Sequence, residues 1–537
     1  MLQKRLLHIS YNGSIRKTRE VFIMKKVLAF LLAVSLSAAV LGGCGASDGT
    51  TQGTQNGSAS GETAGAADFS DRKPCTLKIM MLGAEDDTAK VKEVSDRLSA
   101  ITEKKLNCDV EITRVGFGSY DTQLNLALSS GEQLDLFNLF DMNKSVLAGN
   151  GQIAQLDDLL KEQGQGILDK VSGNDWNCAK VNGNIYEVPT NKDHAGALGF
   201  IMRKDILEET GYALSDIKSF DDLHSVLKKV KELHPDMYPA VSDNGKMLTM
   251  EGDNLGDINN LGTVMDPYSG KSTKVEDIYE TDYYMNLCKT MYQWAQEGLI
   301  MPDASTNSEG ADSIIGADKA FGRFSGNVIT TASGLTEQSQ TAQHELVVWT
   351  YKDALSTTDA TISCGWGIGA NSADPERAMA LLNLMYTDPE IANLVGNGIE
   401  GEQYKVVDQT KGFIDYPDGK NAANTGYSRM VWAWPNEMIT YLWKGELETK
   451  WTDLENFNKT AVQSSVKGFT FDSTNVANEI AACSNVVNKY NQSLLAGSVD
   501  PSAAVPQFIQ ELKDAGIDRI VAEKQSQVDA WAAGQKG

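Results

Sequence analysis

Residues 76–140 read TLKIMMLGAEDDTAKVKEVSDRLSAITEKKLNCDVEITRVGFGSYDTQLNLALSSGEQLDLFNLF. Thr76–Leu82 is a short apolar run bounded by a turn, the pattern of a buried strand. Val91, Val94, Leu98 and Ile101 recur at three- and four-residue spacing, which predicts a helix from Thr88 to about Leu106. Asp109–Phe117 alternates apolar and polar and reads as a second strand. Ser119–Ser130 reads as a helix ended by Gly131, and Leu134–Phe140 as a third strand. The order β-α-β-α-β predicts a parallel, doubly wound α/β sheet. Such sheets bind ligands outside the carboxyl ends of their strands. Glu85, Asp86, Phe117, Tyr120 and Asp141 fall at those ends.

Further along, Ile185–Val188 and Ala197–Met202 read as strands, and Arg203–Glu209 as a short helix closed by Gly211. Asp221–Leu233 places Leu223, Val226, Leu227, Val230 and Leu233 on one helical face, stopped by Pro235. Tyr283–Glu297 is a further helix. Asp374 and Asp388 each precede a proline, and Asp at the N-cap with Pro at N1 starts a helix. Pro506–Ala515 and Ile517–Trp531 read as late helices, split by Gly516.

Upstream of this body, Met24–Gly45 reads MKKVLAFLLAVSLSAAVLGGCG. Two lysines, a short apolar run and small residues before Cys44 have the layout of an export signal, and the run is too short to span a membrane. LGGC resembles the lipobox of bacterial lipoproteins, which implies a lipid on Cys44 as the processed N-terminus. Residues 1–23 are read as a leader ahead of the true start, 24–44 as the signal peptide and 45–75 as a Gly/Ser/Thr-rich linker. The expected location is the extracytoplasmic face of the cell membrane, on a Gram-positive exterior. Removing residues 1–44 takes away seven Lys/Arg and one Glu, moving the formal charge from −24 to −30. That field repels nucleic acid and anionic head groups, so no nucleic-acid partner is expected.

Signatures of catalysis are missing. The sequence contains no H-E-x-x-H, and its one G-x-S-x-G match, GASDG at 45–49, falls in the Gly/Ser/Thr-rich linker with no strand before it. SGKS at 269–272 imitates a phosphate loop, but its first glycine position holds Met265. The five histidines do not cluster, and only His194 lies near a presumed hinge. The acidic pairs Asp157/Asp158 and Asp221/Asp222 suit helix starts rather than acid–base chemistry. After Cys44, six cysteines remain with no C-x-x-C pair, which predicts buried free thiols. No cofactor, no metal site and no enzymatic activity are expected.

Taken in order, GFGSYDTQLNLALSSGEQLDLF, IYEVPT with GFIMRKDIL, KAFGRFSGN and GWGIGANSADPERAMALLNLMYTDPEIANLVGNGIEG resemble the family 1 solute-binding lipoproteins of bacterial ABC importers. NGIEGEQYKVV and the tail from KGFTFD are most similar to a large Gram-positive subgroup. The resemblance implies a two-lobe, type II periplasmic-binding-protein-like clamp joined by hinge strands. It implies a monomer that captures an oligosaccharide, passes it to ABC permease subunits and touches the membrane by its lipid anchor alone. The solute-binding domain is expected over 76–537. Its first lobe would hold about 76–188 and 316–350, its second about 195–315 and 360–460, with C-terminal helices over 470–537.

Sugar recognition needs flat aromatic faces against C–H-rich ring faces, with carboxylates, amides and Arg on the hydroxyls. Trp366 sits among glycines, where a ring has room. Trp432 and Trp434 share one side if VWAWPN is extended, with Asn436 beside them. Glu85, Asp86, Tyr120, Asp141, Tyr186, Arg323 and Trp349 complete the expected ligand-binding set. The alternatives are a peptide or other solute in the same fold, a cell-surface glycoside hydrolase with two flanking carboxylates, and an adhesin. A first prediction concerns the anchor. Cys44→Ser should release the protein from the membrane fraction, and a variant still membrane-bound and lipid-labelled would contradict it.

Overall fold

The computed structural model describes residues 68–535 apart from Glu85 and Asp141. The leader, signal, Cys44 and most of the linker, with Glu85 and Asp141, lie outside the described residues. In chain order the principal elements begin with β1 (Cys75–Gly83), α1 (Thr88–Leu106), β2 (Cys108–Gly116), α2 (Phe117–Ser130) and β3 (Leu136–Leu139). Next come β4 (Gly196–Arg203), α3 (Phe220–Leu233), β5 (Tyr238–Val241), α4 (Asp282–Gln296), β6 (Ala320–Val328) and β7 (Leu346–Ser356). The chain continues with β8 (Gly365–Ile368), α5 (Pro375–Thr387), α6 (Pro389–Asn397), α7 (Lys450–Thr460) and β9 (Val462–Gln463). It ends with α8 (Ala477–Leu495), α9 (Pro501–Ala515) and α10 (Ile517–Gly534).

Local chemistry accounts for the helix ends. Asp87 caps α1 by accepting from the Ala89 N–H at 2.8 Å, and Asn107 closes it in the left-handed region at φ 52°. Ser219 caps α3 through the Asp222 N–H at 3.2 Å. Asp374 and Asp388 cap α5 and α6, each with proline at the first helical position. The helix that departs most from its pattern is α9. It starts at Pro501 behind the Asp500 cap and carries Pro506 inside its length.

Two sheets define two lobes. The first has the order β8-β3-β1-β2, with β1 parallel to both β2 and β3 and β8 antiparallel to β3. Leu77, Ile79 and Met81 of β1 pack with Val91, Val94 and Leu98 of α1 and with Met379, Leu382 and Met385 of α5. The second sheet has the order β9-β7-β4-β6-β5, with β4 central and antiparallel to β6 and β7. Its core includes α3 and α4, and also Cys483, Val487, Phe508, Leu512, Ile520 and Val528 of the three C-terminal helices. Cys108, Cys178, Cys288 and Cys483 are buried free thiols, Cys364 is buried, and Cys75 is half-buried.

Strand pairing corrects the expected lobe boundaries. Residues 316–350 carry β6 and most of β7, which flank β4 in the second sheet rather than joining the first. Within 360–460, β8 pairs with β3 and α5 packs against the first core. A four-residue apolar strand such as GWGI fits either sheet, so its pattern does not reveal its partner. The chain therefore crosses between lobes three times, over residues 189–195, 357–364 and 444–461.

The buried tryptophans are corrections of the same kind. Trp366 and Trp434 are fully buried and meet edge to face at 6.1 Å. The Trp366 Nε1–H donates to the Ala433 carbonyl at 3.1 Å. Gly365 and Gly367 leave room for the Glu187 side chain and the Phe137 ring, not for a ligand. Val431–Ala433 forms a three-residue 3₁₀ turn, so strand alternation fails there and Trp432 and Trp434 diverge. We predict that Trp366→Ala costs ~3–5 kcal/mol of unfolding free energy, as for a large core truncation. Trp432→Ala, on the half-buried rim, should cost about 1 kcal/mol or less. Equal losses in urea denaturation would contradict this division.

Candidate functional site

The first crossing runs through Asn191, Lys192, Asp193 and His194, between Val188, bridged to Trp366, and the start of β4. Its backbone joins the rest of the chain only at an isolated Asn191–Asn436 bridge, and side chains hold much of the remainder. Asn191 donates its N–H to the Pro435 carbonyl at 2.7 Å and its amide to Asn436 Oδ1 at 2.9 Å. Asn436 in turn donates to the Tyr386 carbonyl at 2.8 Å. From the third crossing, Asn458 accepts the His194 N–H at 2.8 Å and donates to the Lys192 carbonyl at 2.6 Å. His194 Nε2 lies 2.7 Å from the Thr190 carbonyl, and Nδ1 lies 3.4 Å from Asp175. Asp175 also meets Lys467 at 2.8 Å, which ties the segment just after β9 to the first lobe. Burial works against the Asp175 charge, but His194 and then Lys467 outweigh it and hold the carboxyl down at about 2.

Lys192 and Asp193 open onto two adjoining cavities of about 510 and 680 Å³, which also share Asn327 and Ser363. Lys192 Nζ lies 3.2 Å from Asp193 Oδ1, and Asn327 Nδ2 donates to Asp193 Oδ2 at 3.2 Å. Burial alone would lower the Lys192 pKa, but Asp193 and Glu437 more than offset it and raise it. The smaller cavity is bounded by Phe140 and Trp432 of the first lobe, and by Thr331, Ser333 and Glu337 of the second. Phe117 stacks on Trp432 at 6.0 Å with a 9° tilt, and Phe140 meets both edge-on at 5.7 and 6.4 Å. Phe117 and Phe140 directly follow β2 and β3, so the carboxyl ends of the parallel strands carry this aromatic platform. Phe117 remains 43 % exposed.

Charges in the smaller cavity come in opposed sets. Lys450 contacts Glu446 at 2.8 Å and Glu337 at 2.9 Å. Arg429 lies 3.7 Å from Glu446 and over the Trp443 ring at 5.6 Å. The larger cavity is richer in carboxamides, with Asn254, Asn259, Asn260, Asn488, Asn491 and Gln492 among its lining. Among the described residues no cluster of His, Cys, Asp and Glu is placed to hold a metal ion.

Among the described members of the ligand-binding set read from the sequence, only Trp432 lines either cavity. Asp86 is tied to Arg114 Nε at 3.1 Å and accepts from the Ser428 N–H, and Arg114 lies over Tyr427 at 4.3 Å. Tyr120 is buried, its hydroxyl engaged with the Met80 and Asn138 backbone. Tyr186 is half-buried against the first-lobe core. Arg323 pairs with Asp312 at 2.8 Å, and Trp349 packs on Phe220 and Tyr351 in the second core. Asn436 holds the crossing segment. These side chains meet partners inside their own lobe or at the crossing, and strand-end position alone could not show that. Lys192, Asp193, Asn327, Arg429 and Glu437 were missed. The polar run NKDH between two apolar strands was the available signal.

Residues 84–392 match the model for bacterial extracellular solute-binding proteins, and residues 465–533 match a domain of unknown function. The chain belongs to the bacterial extracellular solute-binding protein family. It is 28 % identical over 478 residues to a carbohydrate ABC transporter substrate-binding protein of Streptococcus pneumoniae serotype 4 (strain ATCC BAA-334 / TIGR4), spanning 88 % of this chain and 93 % of the relative. The crystal structure of the N-glycan transport solute-binding protein of Streptococcus pneumoniae is similar at a TM-score of 0.75 and 25 % identity, over 86 % of this chain and 99 % of that one. Its complex with Man5GlcNAc is similar at a TM-score of 0.68 and 25 % identity, over 86 % and 99 % of the two chains. A solute-binding protein of Bifidobacterium longum subsp. infantis, at 15 % identity and a TM-score of 0.60, shares the fold over 85 % of this chain and 98 % of its own. The named relatives are substrate-binding proteins rather than enzymes.

Glu437 of this solute-binding protein provides a test of the cleft's electrostatics. Burial, and next Asp193, raise its carboxyl from 4.5 to about 7. Between those values the folded chain holds a proton that the unfolded chain releases. Stability should therefore fall as pH rises through that window and level off above it. Glu187, buried beside Lys144, is raised to about 7 as well, chiefly by its own burial. Asp277, raised to about 6 by its burial, adds to the lower part of the window, so Glu437→Gln should remove roughly a third of the slope in melting temperature. An unchanged calorimetric slope would assign the proton uptake elsewhere.

Proposed function

We propose that this protein captures a carbohydrate, in particular an oligosaccharide, between its lobes and delivers it to an ABC permease. The observation that carries the reading is the platform of Trp432, Phe117 and Phe140 beside a cavity lined by charge-balanced pairs and carboxamides. Aromatic faces suit the C–H faces of pyranose rings. A hydroxyl both donates and accepts, so adjoining ammonium, carboxylate and amide groups satisfy it without demanding a charged ligand. The glycans named for the similar streptococcal structures support the same class. Ligand touching both lobes stabilises the closed form, and the three crossings absorb the motion. On this reading the protein performs no reaction on its ligand. It is held by the lipid on Cys44 at the outer face of the membrane, as a monomer beside its permease.

The test is a thermal-shift and calorimetry panel with Man1GlcNAc, Man5GlcNAc, other oligosaccharides and oligopeptides. A bound oligosaccharide at a hundredfold excess over Kd should add about 2.7 kcal/mol to stability. Trp432→Ala and Asp193→Asn should each weaken binding about tenfold or more, equivalent to ~1.4 kcal/mol per decade. The glycan should be recovered intact after long incubation. Stabilisation by peptides alone, or release of cleaved sugar, would overturn the reading.

A further inference from the structure

The wall of the larger cavity includes the loop EGDNLGDINNLG, residues 251–262, through Asn254, Ile258, Asn259 and Asn260. No regular element holds this loop. Gly252, Leu255, Gly256, Asn260 and Gly262 all adopt positive φ, and Ile258 at its tip is 83 % exposed. A reciprocal Asp253–Val264 backbone pair closes its base, Tyr279 donates to the Asn259 carbonyl at 2.6 Å, and further clasps come from the other end of the chain. Asn259 donates its amide to Ser484 Oγ of α8 at 3.1 Å. Ser464, just ahead of the C-terminal helices, donates to the buried Asp253 carboxylate. Lys524 of α10 enters from behind, with no exposed surface. Its ammonium lies 3.1 Å from Asp257 Oδ2, 3.1 Å from the Gly262 carbonyl and 3.5 Å from the Asn254 carbonyl.

We propose that Lys524 is a positioning residue for ligand binding, and that the C-terminal helical unit sets the shape of the carboxamide-lined chamber through it. A buried ammonium that gathers three oxygens of one loop organises that loop strongly, because each oxygen would otherwise face an unpaired charge. The loop crosses above the ammonium at Gly262, where a Cβ would meet the Lys524 stem at 3.0 Å and where φ is +94°. The same unit also lines the chamber directly, with Asn488, Asn491 and Gln492 on one face of α8. The C-terminal region, matched to a domain of unknown function, thereby becomes one wall of the binding site and the brace of the wall beside it. The ligand part of this inference rests on the carbohydrate reading, while the bracing of the loop does not.

Two measurements on the full chain separate these parts. Hydrogen exchange without ligand compares wild type with Lys524→Met, Lys524→Arg and Asp257→Asn. Calorimetry then titrates the same proteins with Man5GlcNAc. Lys524→Met should raise exchange across 252–262 by about tenfold or more while β4, β6 and β7 keep wild-type rates. It should weaken the glycan by about tenfold or more, with Lys524→Arg closer to wild type on both counts. Unchanged loop exchange, exchange raised uniformly over the second lobe, or a loosened loop with unchanged affinity would each overturn the proposal. Should Lys524→Met fail to fold, Asp257→Asn is read by the same criteria, because it weakens the contact from the half-exposed side. If wild type does not bind Man5GlcNAc, the carbohydrate reading loses support and loop exchange alone decides the bracing.

Discussion

Everything about the cleft follows from how the chain crosses it. Backbone groups of residues 189–195 leave one sheet before reaching the next, yet they are largely buried and need partners. The Asn458 carboxamide provides two of them, since one side chain can donate and accept at once, and the Pro435 carbonyl, the Glu437 N–H, the Tyr386 hydroxyl and the His194 ring provide others. Asn191 and Asn436 lock the crossing to the first lobe, and Asn458 locks it to the third crossing. Lys192 and Asp193 are thereby fixed at the junction of the two cavities, where neither lobe alone could place them.

How much of this was legible in the sequence varies with the range of the interaction. Caps are local, so Asp374 and Asp388, each ahead of a proline, mark their helices correctly. The opening β-α-β-α-β unit is nearly local and was readable as well. Lobe membership is not local. β8 lies more than two hundred residues from β3, and nothing in GWGI specifies that partner. Trp366 and Trp434 show the same limit at the level of one side chain. Glycines beside a tryptophan can admit a ligand or a neighbouring residue, and here they admit Glu187 and Phe137. The aromatic platform, by contrast, was half visible, because Phe117 and Phe140 sit at strand ends where the fold class places ligands.

Charge in the cleft is arranged to be local too. The chain is strongly acidic, with a formal charge of −24, yet Asp193 and Glu337 of the cavity walls each pair with a lysine. A neutral, hydroxyl-rich ligand meets donors and acceptors there without working against the overall field. The C-terminal helices extend this logic. They bury a lysine beneath the cavity wall and leave carboxamides on its surface.

The most direct test of this account is a crystal structure of the protein with a bound oligosaccharide such as Man5GlcNAc. A pyranose ring against Trp432, with hydroxyls on Lys192, Asp193 and Asn327 and the glycan reaching the 252–262 loop, is the predicted result. Glycan bound outside both cavities, with Trp432 and Asp193 untouched, would contradict it.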